Sequence, residues 1–231
     1  MQLALESNVF FWGVEYVATF CCGLLGGLSA VKRGYDFIAI MLTVWLTGLG
    51  GGLIRDVLLG VVPPVGVSNK GLVVTCIVAG LAVAVIYPEA NQMKWTMLTL
   101  DALALGLYSV NGTQKALMYG ASGMTACFMG LATALGGGLI RDVLLNAVPA
   151  IVGDRHWYAL LSAIASMLSV FVTRAYMKHD IDFSWEVALD LVIVFLVVLF
   201  RMASVKFDWK VPVALKRTRT LSTRRNDWDS L

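Results

Sequence analysis

Apolar positions in this chain come in long runs separated by short polar clusters. Seven runs predict membrane-crossing helices: Val9–Val31, Phe37–Leu59, Leu72–Tyr87, Trp95–Val110, Met118–Leu145, Trp157–Ala175 and Trp185–Arg201. About 20 mostly apolar residues carry a helix across a bilayer. The third and fourth runs fall short of that. Turn-forming clusters separate the runs: Lys32-Arg33-Gly34, Pro63-Pro64, Pro88-Glu89, Asn111-Gly112, Pro149 and Gly153-Asp154. The pattern predicts an all-α integral membrane protein of seven transmembrane helices.

Composition agrees with the pattern. Of 231 residues, 58% are hydrophobic and 14% charged, with a mean hydropathy of +0.77. An ordinary soluble domain is about 25% charged. The basic residues are unevenly placed. With the N-terminus outside and the C-terminus cytoplasmic, the inner side collects Lys32, Arg33, Lys94, Arg155 and eight residues from Arg201 onward. The outer side collects only Lys70, Lys115, Arg174 and Lys178. The rule that inner loops are richer in Lys and Arg therefore fixes this orientation. The segment 206–231 reads as a basic cytoplasmic tail drawn to anionic lipid headgroups rather than to nucleic acid.

Cys21, Cys22, Cys76 and Cys127 lie in apolar runs without ligand spacing, so they read as small packing residues. The N-terminus lacks the basic region of a cleavable signal and carries Glu6.

The informative feature is an internal repeat. Residues 50–58 read GGGLIRDVL, and residues 136–144 read the same, a shift of 86. Thr47 matches Thr133 and Pro63 matches Pro149 at that shift. Upstream, Gly26 and Ser29 pair with Gly106 and Ser109 at a shift of 80, which implies six extra residues in the second copy. The units read as repeat one over about residues 8–88, repeat two over about 94–177, and an additional helix over about 183–203, together a domain over 1–205. Each repeat holds three helices, an odd number, so the second enters the membrane inverted with respect to the first. The seventh helix has no counterpart in this scheme.

Each glycine costs a helix interior roughly 1 kcal/mol against alanine. Three in a row predict that the second and fifth helices are kinked or interrupted at Gly50–Gly52 and Gly136–Gly138. Broken helices in matching positions of two inverted halves point to a transport site. Neighbouring residues project about 100° apart on a helix. Arg55 and Asp56 are therefore expected to pair crosswise, Arg55 with Asp142 and Arg141 with Asp56. Such charges survive at membrane depth only paired or wetted. Two readings stand: the motif ties the repeats together, or it lines a polar path with Thr47 and Thr133.

Glu15, Asp101 and Asp190 fall inside the first, fourth and seventh runs. Glu15 and Asp190 are expected near span ends, and Asp101 begins a small-residue face suited to packing. Asp101 and Lys115 are secondary polar candidates, Lys115 being read as a solvated lysine of the fourth-to-fifth connection. His156 and His179 stand alone in loops, so no metal site is expected. No nucleotide-binding glycine pattern is present, and no catalytic constellation emerges, so the chain is read as a non-enzyme without a cofactor.

The doubled GGGLIRDVLL, followed by Pro63 and Pro149, resembles the prokaryotic branch of the trimeric intracellular cation channel family. So does the series Asp101, Gly106, Ser109, Gly112, Gln114, Lys115 and Ala116. The resemblance covers about residues 8–205. It implies a homotrimer in the cell inner membrane, with one ion pathway per protomer. Carried over by position, that pathway would involve Thr47, Gly50, Gly51, Gly52, Arg55 and Asp56, with Thr133, Gly136, Gly137, Gly138, Arg141 and Asp142. It further implies permeation of monovalent cations such as potassium or sodium, and lipid bound between helices. The residues themselves leave a second reading open, a secondary transporter of a small solute such as a small amino acid.

Overall fold

A computed structural model describes residues 9–85, 90–154 and 156–210. Tyr87, the Pro88-Glu89 cluster, Arg155 and the tail beyond residue 210 lie outside the described residues. The helices run α1 Val9–Val31, α2 Phe37–Leu58, α3 Val65–Ser68, α4 Lys70–Val85, α5 Ala90–Met118, α6 Gly123–Leu144, α7 Ala150–Gly153, α8 Ala159–Met177 and α9 Phe183–Lys206. Of these, α1, α2, α6, α8 and α9 are long and apolar enough to cross a membrane. Helix α4 is apolar but has only 16 residues, and α5 has 29 residues but carries Lys94, Asp101 and Lys115.

Helix punctuation repeats at the shift of 86. Gly34 and Gly120 take left-handed φ of +73° and +83° just before the N-caps Asp36 and Ser122. Each cap side chain accepts from the backbone N–H three residues on, Ala39 or Thr125. At the far ends of α2 and α6, Gly60 and Asn146 turn the chain at φ +71° and +48°. Pro64 and Pro149 then open the short helices α3 and α7. Pro64, not Pro63, thus takes the role of Pro149.

One register holds upstream as well. A methyl added to Gly26 would lie 2.8 Å from Thr47 Cβ, and one added to Gly112 would lie 2.8 Å from Thr133 Cβ. Gly26 therefore matches Gly112, not Gly106, and no six-residue insertion exists. The expected stop at Asn111-Gly112 is also overturned. Helix α5 runs through to Met118, because tertiary contacts of Asn111 and close packing at Gly112 outweigh their local turn preference. Nor is α9 a free addition, since it packs on α5 as α5 packs on α1.

Helices α2 and α6 cross at their glycine triplets. Both stay α-helical throughout, so the expected interruption is absent. The glycines serve close approach instead. A methyl on Gly51 would fall on the Thr133 carbonyl oxygen, and one on Gly137 on the Thr47 carbonyl oxygen. Gly50 faces Ile140 while Gly136 faces Ile54. The contacts are reciprocal, as at a two-fold interface. Backbone-to-backbone packing of this kind offsets the intrinsic helix cost of glycine.

Candidate functional site

Two polar clusters flank the α2–α6 crossing, one on each copy of the Arg-Asp pair. In the first, Arg55 and Asp56 are wholly buried. Arg55 Nε donates to Asp56 Oδ1 at 2.8 Å, Nη2 to Glu15 Oε1 at 2.8 Å, and Nη1 to Asn111 Oδ1 at 2.6 Å. Lys115 Nζ donates to Asp56 Oδ1 at 2.7 Å, and the backbone N–H of Val65 donates to Asp56 Oδ2 at 2.9 Å. Two cations and two carboxylates thus neutralise each other, which is what burial of charge requires.

In the second, Arg141 Nε donates to Asp142 Oδ1 at 2.8 Å, and the Ala150 N–H donates to Asp142 Oδ2 at 2.8 Å. Arg141 Nη1 lies 3.8 Å from Asp101 Oδ1, which accepts from the Tyr158 hydroxyl at 3.3 Å. Glu15 and Asp101 are 86 residues apart, as are the arginines and the aspartates that follow them, so the two clusters share an Arg, an Asp and a second acid at matching positions.

The expected crossed pairing is overturned. The arginine side chain is long enough to fold back along its own helix, so each Arg holds the Asp that follows it. A carboxylate from the first helix of the same repeat completes the pairing: Glu15 on α1 for Arg55, Asp101 on α5 for Arg141.

The clusters differ in access. The first is sealed, with Lys115 only 3% exposed. The second borders a cavity of about 660 Å³ lined by Ser29, Lys32, Arg33, Lys94, Asp101, Arg141, Asp142, Asp154 and His156, among others. Glu15 Oε2 in the first cluster and Thr47 Oγ1 at the crossing are buried with no hydrogen-bond partner among the described residues. Thr133 Oγ1 bonds back to the Met129 carbonyl.

The family model described as glycine transporter matches residues 13–88 and again residues 98–174. The chain belongs to that family. The two matched stretches each contain one Arg-Asp cluster's arginine and acid. Among curated relatives, a membrane protein of Vibrio cholerae is 30% identical over 151 residues, 65% of this chain and 63% of that one. YadS, an inner membrane protein of Escherichia coli, is 28% identical over 203 residues, 87% and 94% of the two chains.

Solved structures agree on the fold. One described for conductance through trimeric intracellular cation (TRIC) channels matches with a TM-score of 0.72 and 28% identity, covering 87% of this chain and 95% of its own. The TRIC orthologue from Rhodobacter sphaeroides matches at 0.76 and 25% identity, covering 87% and 100%. The fold is that of the prokaryotic TRIC channels, and the chain is a multi-pass membrane protein.

Several polar residues stand elsewhere than expected. Lys115 is no loop lysine; it is buried in α5 because Asp56 and Arg55 anchor this stretch as helix. Glu15 sits inside the bundle on Arg55, not at a wetted end. Asp190, 1% exposed, accepts from Gln114 Nε2 at 2.6 Å. Arg201, the expected end of the seventh run, lies a turn inside α9 and is 3% exposed. His156 is not alone: Nδ1 lies 2.6 Å from Asp154 Oδ1 and Nε2 lies 3.1 Å from Asp208 Oδ1. Asn111 escaped notice because it reads as a turn residue. The 86-residue register would have exposed Glu15 and Asp101 as partners.

Proposed function

We propose that this protein is a monovalent cation channel, permeable to potassium, with one polar path per protomer along α2 and α6. The observation that carries this reading is the pair of equivalent Arg-Asp clusters inside an apolar bundle whose solved relatives are cation channels. Each cluster presents carboxylate oxygens and a tethered arginine beside the glycine crossing: Arg55 and Asp56 near Gly50, Gly51, Gly52 and Thr47, and Arg141 and Asp142 near Gly136, Gly137, Gly138 and Thr133. A path needs binding that is favourable enough for entry and weak enough for exit. Acids whose charge is already shared with arginines meet that condition. The solved relatives being channels also supports a non-enzymatic role.

The same proposal takes the two repeats as inverted, with seven spans, the N-terminus outside and the basic tail in the cytoplasm. It takes the trimer named for the solved relatives as the working assembly, in the inner membrane named for the Escherichia coli relative, with lipid between helices.

A second reading is favoured by one specific observation. The family model is described as glycine transporter, and one cluster is sealed while its twin opens on a cavity. That asymmetry suits alternating access by a small zwitterion. Reconstitution separates the two. Stepwise unitary currents in a planar bilayer support the channel; saturable glycine uptake into liposomes without unitary currents supports the transporter.

A further inference from the structure

The register of 86 residues pairs Glu15 with Asp101, Gly26 with Gly112, Thr47 with Thr133, Arg55 with Arg141, and Asp56 with Asp142. It continues once more: Lys115 of α5 maps onto Arg201 of α9. In the first cluster Lys115 seals Asp56 at 2.7 Å. In the second cluster the corresponding cation is elsewhere.

Arg201 Nη2 donates to Asp154 Oδ2 at 2.6 Å, and its guanidinium lies 4.7 Å over the Tyr158 ring. The hydroxyl of that ring donates to Asp101. Arg201 Nε and Nη1 are buried without a hydrogen-bond partner among the described residues. Two idle donors on a buried guanidinium are a costly arrangement that native structures rarely keep without use. Asp101, Asp142 and Asp154 all line the same cavity. Tyr158 thus stands between Arg201 and Asp101 of the open cluster, its ring against the guanidinium and its hydroxyl on the carboxylate.

Asp154 is itself held in place. His156 bonds it, and His156 also reaches Asp208 beyond the end of α9. The indoles of Trp157 and Trp209 pack at 5.9 Å between centroids, and Trp157 N–H donates to Ser204 Oγ. This clasp fixes the carboxylate that restrains Arg201.

We propose that Arg201 is a second gate cation: by leaving Asp154 for the carboxylates of Asp101 and Asp142, it closes the open cluster as Lys115 closes its twin. The exchange trades one ion pair for another, so Arg201 keeps a carboxylate partner at both ends of the move. The inference rests on the reading of the two clusters as opposite ends of one pathway, and it assigns their access to two equivalent cations on α5 and α9.

The test follows the accessibility of the cavity rather than ion flux. Ala147, which lines it, is changed to cysteine in a Cys127→Ser background, and its rate of modification by a charged thiol reagent is measured in the reconstituted protein. Asp154→Asn releases Arg201, so modification slows on the order of tenfold. Adding Arg201→Gln to Asp154→Asn restores the original rate. An unchanged rate in Asp154→Asn overturns the proposal, and so does a double variant as slow as the single one. Rates that behave as expected in a protein that passes no current leave the gate standing and remove the channel reading. Currents with indifferent rates do the reverse.

Discussion

Lys115 Nζ lies 2.7 Å from Asp56 Oδ1, both side chains buried inside an apolar helical bundle. This contact makes the first Arg-Asp cluster a closed one. It joins α5 to α2 and gives Asp56 Oδ1 a second donor beside Arg55 Nε, while Val65 N–H takes the other oxygen.

Removing the lysine should therefore act on access and on stability together. Lys115→Met is expected to raise cation current through the reconstituted protein, because it removes one of the two cations on Asp56 Oδ1 and leaves the cluster with an excess of negative charge. Breaking a buried pair by deleting one partner costs about 3 kcal/mol. Here Arg55 remains on Asp56, so the thermal midpoint in detergent should fall less than for Arg55→Met. Equal losses would make Lys115 as important to Asp56 as Arg55 and contradict this ranking.

The glycines make sharply different predictions within one triplet. Gly51→Ala drives a methyl into the Thr133 carbonyl, where neither backbone can yield. Overpacking of this sort costs about 1–3 kcal/mol. Gly52→Ala meets nothing nearer than 3.6 Å, an ordinary contact with Arg55 Nη2. It should be neutral or stabilising by up to about 1 kcal/mol from helix propensity. Thermal unfolding of both variants, with Gly137→Ala matching Gly51→Ala, checks the crossing.

Pairing within one repeat, rather than across the repeats, is open to a double-mutant cycle. Glu15→Gln and Arg55→Met should be non-additive, because each removes the same 2.8 Å contact. Arg55→Met and Asp142→Asn should add to within about 0.5 kcal/mol, as distant sites do. Coupling in the second cycle and additivity in the first would restore the crossed scheme.

The clasp between the 154–157 loop and the end of α9 should weaken in acid. Burial pushes the Asp154 carboxyl up, but hydrogen bonds from Arg201 and from the His156 backbone and ring together hold it below its ordinary value. Hydrogen bonds from Lys210 and His156 hold the exposed Asp208 carboxyl low as well. A carboxyl with a depressed folded value contributes stability that is fully present above its ordinary pKa of about 3.9, and loses it as pH falls through the lower folded value. Fluorescence of Trp157 and Trp209 should thus hold steady from neutral pH down to about 4 and change below it. In Asp154→Asn that change should shrink.

Much of this was written in the chain. The doubled motif announced two equivalent halves, and Thr47 with Thr133 marked the helices that cross. What failed was local inference about glycine and charge. Three glycines read as a break when they are a crossing point, because the cost of glycine is local while the compensating contact with Thr133 or Thr47 lies 80 or more residues away. Asn111 and Lys115 read as loop residues because turn preference was weighed without Arg55 and Asp56, which hold them in a helix. Arg55 was sent to the wrong acid because helical spacing describes Cβ positions, not the reach of a guanidinium.

The central claim is that cations pass the two Arg-Asp clusters. Its most direct test is the reversal potential of unitary currents in a planar bilayer under a potassium chloride gradient, for the unmodified chain and for Asp56→Asn and Asp142→Asn. The account predicts currents reversing near the potassium equilibrium potential, with conductance or selectivity altered in both variants. Silent bilayers, or currents identical in all three proteins, would contradict it.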